Sequence, residues 1–279
     1  MNYLKAIVFG AVEGISEWLP ISSTAHMKML NHFLPLDVST NFYDLFEVVI
    51  QLGAIIALLF VFIRKIWPFG KTSNPIGDKG LLKYCKLDKF VLWIKIAIAC
   101  LPVIIYKLLL DDKVNFVNKN NEMLIIAISL ILVGIIFILV EIKVKDEKLR
   151  ANNTKQITYL DALIIGLCQL IAAIFPGISR SGSTIITAML LGISKIAATE
   201  FTFELAIPVM FGASLMEVIE FEGAVLISDI LTLLIGCFSA FVVSIFMIRF
   251  ILNYLKNHSF NAFAIYRIIL GIIILIVIV

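Results

Sequence analysis

Apolar residues dominate this chain in runs, and the runs come in two lengths. Six are long enough to cross a bilayer, at about 45–63, 90–106, 123–140, 203–219, 229–248 and 262–279, since a helix rising ~1.5 Å per residue needs about 20 apolar residues to span the hydrocarbon. Four are too short: about 3–19, 21–34, 159–175 and 183–194. Each short pair is divided by a turn rich in Pro and Ser, LPISST at 19–24 and FPGISRSGST at 175–184. Proline has no N–H to give and clashes with the preceding helical turn, so each pair predicts two half-helices folded back as a re-entrant hairpin. Irregular backbone is tolerated at membrane depth only beside protein or a wet cavity. The pattern therefore predicts a cavity before any chemistry is considered.

The two hairpins are related in sequence. Adding 156 to residues 3–20 matches Tyr3 with Tyr159, Leu4 with Leu160, Ala6 with Ala162, Gly10 with Gly166, Ile15 with Ile171 and Pro20 with Pro176, and sets Glu13 on Gln169. One inserted residue later, at an offset of 157, Ile21 meets Ile178, Ser22 meets Ser179, Phe46 meets Phe203, Glu47 meets Glu204 and Ile50 meets Ile207. Matches of Gly, Pro, Ser and Glu in register point to duplication. The expected fold is an all-α polytopic membrane protein, a single membrane domain over 1–279, with repeat one at about 1–142 and repeat two at about 157–279. Each half is one re-entrant helical hairpin plus three transmembrane helices. Three crossings per half make the repeat inverted in topology.

Loop charge sets the orientation. The loops at 64–89, 143–155 and 249–261 carry 7, 5 and 2 Lys or Arg, against 0, 3 and 0 at 35–44, 107–122 and 217–229. Basic loops stay in the cytoplasm, so both termini are expected outside, hairpin one dipping from the outer face and hairpin two from the inner. Cysteines placed at Asp37 or Glu220 should then be reachable from outside and one at Lys148 should not.

Composition agrees with this reading. Hydrophobic residues make up 61% and charged residues 15% of the 279 positions, with a mean hydropathy of +1.04, whereas soluble domains carry about 25% charged residues. The N-terminal run is broken by Glu13 and Glu17 and is not expected to be a cleaved signal. The four cysteines, Cys85, Cys100, Cys168 and Cys237, have no paired spacing and suggest neither disulfide nor metal motif. A net charge of +3 concentrated in loops speaks of topology and not of nucleic acid.

Against this background the polar residues of EGISEWLPISSTAH, residues 13–26, stand out. Glu13 and Glu17 lie four apart on one face of a half-helix, ~6 Å apart along its axis. Two carboxylates there need a cation, a shared proton or a basic partner. Divalent Mg or Ca, which take hard oxygen ligands, are the expected cofactor, with Glu13 and Glu17 as the metal ligands. Ser22, Ser23, Thr24 and His26 follow at the tip. The second tip carries Arg180 between Ser179 and Ser181, then Thr184. A charge near the midplane costs about 2.5–3.5 kcal/mol even on insertion scales unless an anion matches it. The guanidinium fork, the free N–H groups of the turn and the start of a helix expected near Ser183 all suit phosphate. An ion pair from Arg180 to Glu13 or Glu17 is the structural alternative. Glu47 and Gln51, four apart on the first full span, would line the same cavity from the side, either orienting the acidic pair, as Gln169 would, or serving only helix packing.

The stretches EGISEWLPISSTAH and PGISRSGST, with FEVVIQLGAI at 46–55, resemble the undecaprenyl-pyrophosphate phosphatase family, the bacitracin-resistance membrane phosphatases, over essentially the whole chain. The chain departs from the family at Ala25, where Gly is usual, and at Glu204, where an apolar residue is expected. The resemblance implies hydrolysis of a C55 isoprenoid pyrophosphate to its monophosphate and inorganic phosphate in the bacterial plasma membrane, recycling the lipid carrier of cell-wall synthesis. It places Glu13 and Glu17 as the acidic pair, Ser23 and His26 as candidate nucleophile and acid/base, and Arg180 as the phosphate ligand. Ser22, Thr24, Ser179, Ser181 and Thr184 would add phosphate contacts. The nucleophile stays open between Ser23, His26 and water. Expected partners are the isoprenoid pyrophosphate and membrane lipids, with a homodimer allowed. Inverted repeats also occur in transporters, so a lipid-phosphate transporter or flippase is the rival reading; only an enzyme releases phosphate in detergent.

Overall fold

A computed structural model describes residues 1–77, 80–109, 121–144 and 151–279. In chain order its helices are α1 (Asn2–Ser16), α2 (Ser23–Phe33), α3 (Thr40–Val49), α4 (Gln51–Ile66), α5 (Leu87–Leu109), α6 (Glu122–Val144), α7 (Tyr159–Ile174), α8 (Arg180–Leu190), α9 (Lys195–Glu220), α10 (Ile227–Tyr254) and α11 (Asn261–Val277). Five segments are long and apolar enough to cross a membrane: Thr40–Ile66, which joins α3 and α4, and α5, α6, α9 and α10. The sixth run expected to cross, 262–279, is the 17-residue α11. The short runs are α1, α2, α7 and α8, at the positions the pattern predicted. The protein is thus an all-helical, multi-pass membrane protein.

Helix starts follow local hydrogen-bond chemistry. Ser39, Ser194 and Thr158 sit just before α3, α9 and α7 and accept the orphan amides of Phe42, Ala197 and Asp161, the last in a reciprocal capping box. Several boundaries differ from the sequence expectation: α9 begins at Lys195 and not at 203, and α10 runs to Tyr254 and not to 248. Helix α8 begins at Arg180 and not near Ser183, because Ser179 takes the Gly182 amide at 3.2 Å and so starts the helix one turn early. The first span is longer than 45–63 and is interrupted at Ile50, which ends α3 and precedes α4.

Helix packing depends on glycines where backbones meet. α1 lies on α10, α7 on α5, and α6 on α11. A Cβ at Gly10 would stand 2.2 Å from the Gly236 carbonyl oxygen, and one at Gly166 would stand 2.3 Å from that of Ala99. Both contacts exist only because no side chain intervenes, which is how helices associate in lipid. Away from these seams large apolar side chains such as Leu234, Phe238 and Phe246 of α10 are exposed. They cover the face that the hydrocarbon would wet. Inside, Trp18 packs edge-on to Phe203 at 5.0 Å, joining the first turn to α9.

Candidate active site

The two turns that end α1 and α7 meet in the interior. Ser22 and Ser179 are the residues other than glycine with positive φ among the described residues, at 72° and 71°. A side chain costs energy in that region, so both turns are held by their surroundings. The hydroxyl of each serine caps the following helix: Ser22 accepts from Ala25 N at 3.4 Å and Ser179 from Gly182 N at 3.2 Å. Between the turns lies a cavity of about 170 Å³ lined on one side by Glu17, Ser22, Ser23 and Thr24 and on the other by Ser179, Arg180 and Ser181, with Gln51 at the break between α3 and α4.

Glu17 is the centre of this site. Its Oε1 accepts from Arg180 Nη2 at 2.6 Å and its Oε2 accepts from the Ser23 hydroxyl at 2.7 Å. Residues from hairpins 163 positions apart are thereby joined through one buried carboxylate. Arg180 also donates to the Thr202 carbonyl at 3.2 Å, which fixes its direction. Glu13, one turn back along α1 and 1% exposed, has no hydrogen-bond partner on either carboxylate oxygen. Its charged neighbours are Glu17, Glu47 and Arg180. A bare, buried carboxylate beside two others is a site a cation would complete. Among the described residues no group of three or more His, Cys, Asp or Glu could hold a metal ion. A divalent ion there would have at most the carboxylates of Glu13 and Glu17, and would need water and phosphate oxygens to fill the rest of its shell.

His26 faces elsewhere. Its Nδ1 lies 2.7 Å from the Ser22 carbonyl oxygen and so carries the proton, and its Nε2 lies 2.7 Å from the Tyr266 hydroxyl, with the two rings stacked at 7°. Ser23 and His26, the candidate nucleophile and acid/base, are not hydrogen-bonded to each other: Ser23, at the first position of α2, donates to Glu17. Of the other sequence candidates, Ser181 Oγ is 3.1 Å from Ser179 Oγ. Thr184 is fully buried, bonded to the Arg180 carbonyl at 3.0 Å and Thr202 Oγ1 at 2.8 Å, and supports Arg180 from behind. Gln169 is buried away from the cavity lining with neither end of its amide partnered. Glu47 turns to Lys28 at 3.3 Å.

One residue of the site escaped sequence reasoning. Arg267 of α11 is fully buried, and its guanidinium donates to the carbonyls of Pro20 at 2.8 Å, Gly177 at 2.9 Å and Ile178 at 3.0 Å. It fastens both turns to one point. A trans peptide sets N–H and C=O on opposite sides, so the Ser179 N–H points away from Arg267. The sequence did hold a signal: an arginine inside a run otherwise suited to lipid.

With this geometry in view, comparison with known proteins is specific. The family model described as bacitracin resistance protein BacA matches residues 6–273. A protein named undecaprenyl-diphosphatase 1 from Clostridium acetobutylicum is 46% identical over 271 residues, covering 97% of this chain and 95% of the relative. Undecaprenyl-diphosphatases of Desulfitobacterium hafniense and Enterococcus faecalis are 46% and 44% identical over 275 and 280 residues, each covering 99% of this chain and 95% and 97% of the relative.

Proposed function

This chain belongs to the bacitracin resistance protein BacA family, and from that we propose that it is an undecaprenyl-diphosphatase, an integral membrane hydrolase that releases inorganic phosphate from the lipid pyrophosphate and returns the monophosphate. The observation that carries the chemistry is the chain Ser23–Glu17–Arg180 across the cavity. An anionic head group draws Arg180 from Glu17 onto phosphate oxygens, where its planar fork makes paired bonds. Glu17, already accepting the Ser23 hydroxyl through Oε2, takes its proton. Ser23 Oγ then bonds to the terminal phosphorus, the bridging P–O bond breaks, and the lipid monophosphate leaves. Water attacks the phosphoserine, the P–Oγ bond breaks, and Glu17 returns the proton to Ser23. His26, held by Ser22 and Tyr266, orients the start of α2 and so the Ser23 hydroxyl. Glu13, with Glu17, would hold a magnesium or calcium ion, which when bound draws charge from the terminal phosphate.

Pure protein in detergent should release phosphate from undecaprenyl pyrophosphate, and excess chelator should stop the release until magnesium or calcium is restored. No phosphate from a folded, magnesium-loaded sample overturns the hydrolase; full turnover in chelator overturns the metal and leaves Arg180 and the turn amides as the whole phosphate clamp.

The reading extends to architecture and orientation. The duplicated sequence, the matched serines at positive φ and the equivalent packing of α1 on α10 and α7 on α5 support two hairpin-plus-three-helix repeats of inverted topology. Basic loops on one side support outward termini in the bacterial plasma membrane. Cysteines at Asp37 or Glu220 should therefore react with an impermeant thiol reagent on intact cells. Lys148, expected to be protected, lies outside the described residues; Lys195, whose ammonium bonds the exposed His258 carbonyl, serves as the inner-face control. Labelling at Lys195 and not at Asp37 would invert the assignment.

A further inference from the structure

Beyond the cavity wall, α2 carries one more cation. Lys28 is bonded at 3.3 Å to Glu47 and at 3.3 Å to Glu122, and its side chain is 24% exposed. It thus ties hairpin one to α3 and to the first turn of α6. The arrangement is poorly explained as a structural brace. Both contacts exceed the 2.7–2.9 Å of strong charge-assisted pairs, and two carboxylates share one ammonium on a flexible four-carbon stem. Its place on α2 is informative. Thr24 lines the cavity, and Lys28 lies one helical turn farther on the same face, ~6 Å along the axis. Glu122 is at the N-terminal end of its span, so Lys28 stands toward the mouth while Arg180 and Ser23 stand at the floor.

The geometry points to Lys28 as the residue that grips the inner, lipid-bearing phosphate of a pyrophosphate whose terminal phosphate sits against Arg180 and Ser23, leaving Glu122 to do so. This assignment rests on the hydrolase reading above. A substrate with two phosphates in line satisfies both cations at once. A monophosphate satisfies only one of them: free phosphate the floor, and the lipid monophosphate the mouth. The arrangement selects the pyrophosphate and lets the product go, since the monophosphate left on the lipid loses the Arg180 contact. Lys28 keeps its pairing with Glu47 throughout, and Glu122, at the solvent edge, gives up its share at little cost.

Two variants with opposite expected signs test this. Lys28→Met should raise KM for undecaprenyl pyrophosphate about tenfold, the equivalent of one charge-assisted contact, with kcat within about twofold. Inhibition by inorganic pyrophosphate should weaken in parallel while inhibition by inorganic phosphate stays unchanged, and Lys28→Arg should recover most of the loss. Glu122→Gln removes the competitor and should lower KM by about two- to threefold. The assignment is overturned if Lys28→Met weakens both inhibitors equally or neither, or if Glu122→Gln leaves KM unchanged or raises it. Should Lys28→Met fail to fold with Glu47 unpaired, Glu122→Gln decides alone. An inactive wild type overturns the hydrolase reading and this assignment with it, whereas an active wild type with no change in Glu122→Gln overturns only Lys28.

Discussion

Glu17→Gln is expected to lower turnover about a thousandfold, in the range for loss of a general base combined with loss of a positioning contact. The amide keeps the size of the side chain and can still meet Ser23 with its oxygen. It cannot take the Ser23 proton, and it no longer offers Arg180 a charge. Because Arg180 remains bonded to the Thr202 carbonyl and Thr184 still supports its backbone, the turn should keep its shape. Helicity and detergent melting temperature of the variant should therefore stay near wild type while kcat collapses. A folded Glu17→Gln protein with wild-type kcat would remove this carboxylate from the chemistry. Glu13→Gln makes a useful contrast. Glu13 loses no hydrogen bond on substitution, since it has none, so any fall in its activity reports on what binds there. The expected signature is activity that recovers in part at high magnesium.

Arg267→Met is expected to be the most damaging single change to the fold of the site. Three carbonyls, at Pro20, Gly177 and Ile178, lose their donor, the first two in buried positions. Each buried polar group left unmade costs about 1–3 kcal/mol, so roughly 3 kcal/mol or more should disappear. A loss of that size lowers a melting midpoint on the order of 6–12 °C in a protein of this kind. Arg267→Lys keeps the charge but not the fork, reaches at most some of the three carbonyls, and should fall between. The decisive comparison is thermal unfolding in detergent beside phosphate release. Wild-type melting in Arg267→Met would show that the turns hold their positive-φ serines unaided.

The candidate residues were legible to different degrees, for physical reasons. Arg180 and the acidic pair are conspicuous because charge in a low-dielectric run is expensive and needs a purpose. The same reasoning applied to Arg267 would have found it. Arg267 stands in an apolar helix far along the chain from the two turns, and Lys28 lies on the polar helix α2, where a cation is unremarkable. Ser23 and His26 take different partners, because position on a helix states which residues share a face and not which way a first-turn hydroxyl points. The partner of Ser23 comes from across the turn, and that of His26, Tyr266, comes from 240 positions away.

By itself the sequence determined the membrane class, the six long and four short apolar runs, the residue matches between the two short pairs and the chemical types gathered at two turns. All of these follow from local propensity and from the cost of exposing polar groups to lipid, both of which act over stretches of about 20 residues or fewer. Tertiary structure alone decided the pairings. Glu17 meets Arg180, Arg267 gathers three carbonyls from two hairpins, and Lys28 stands between two acids on different helices. A charge in a sequence needs a partner, but several were on offer for each. Which one it takes depends on helix crossings as close as those at Gly10 and Gly166, and these arise only when segments far apart in the chain pack.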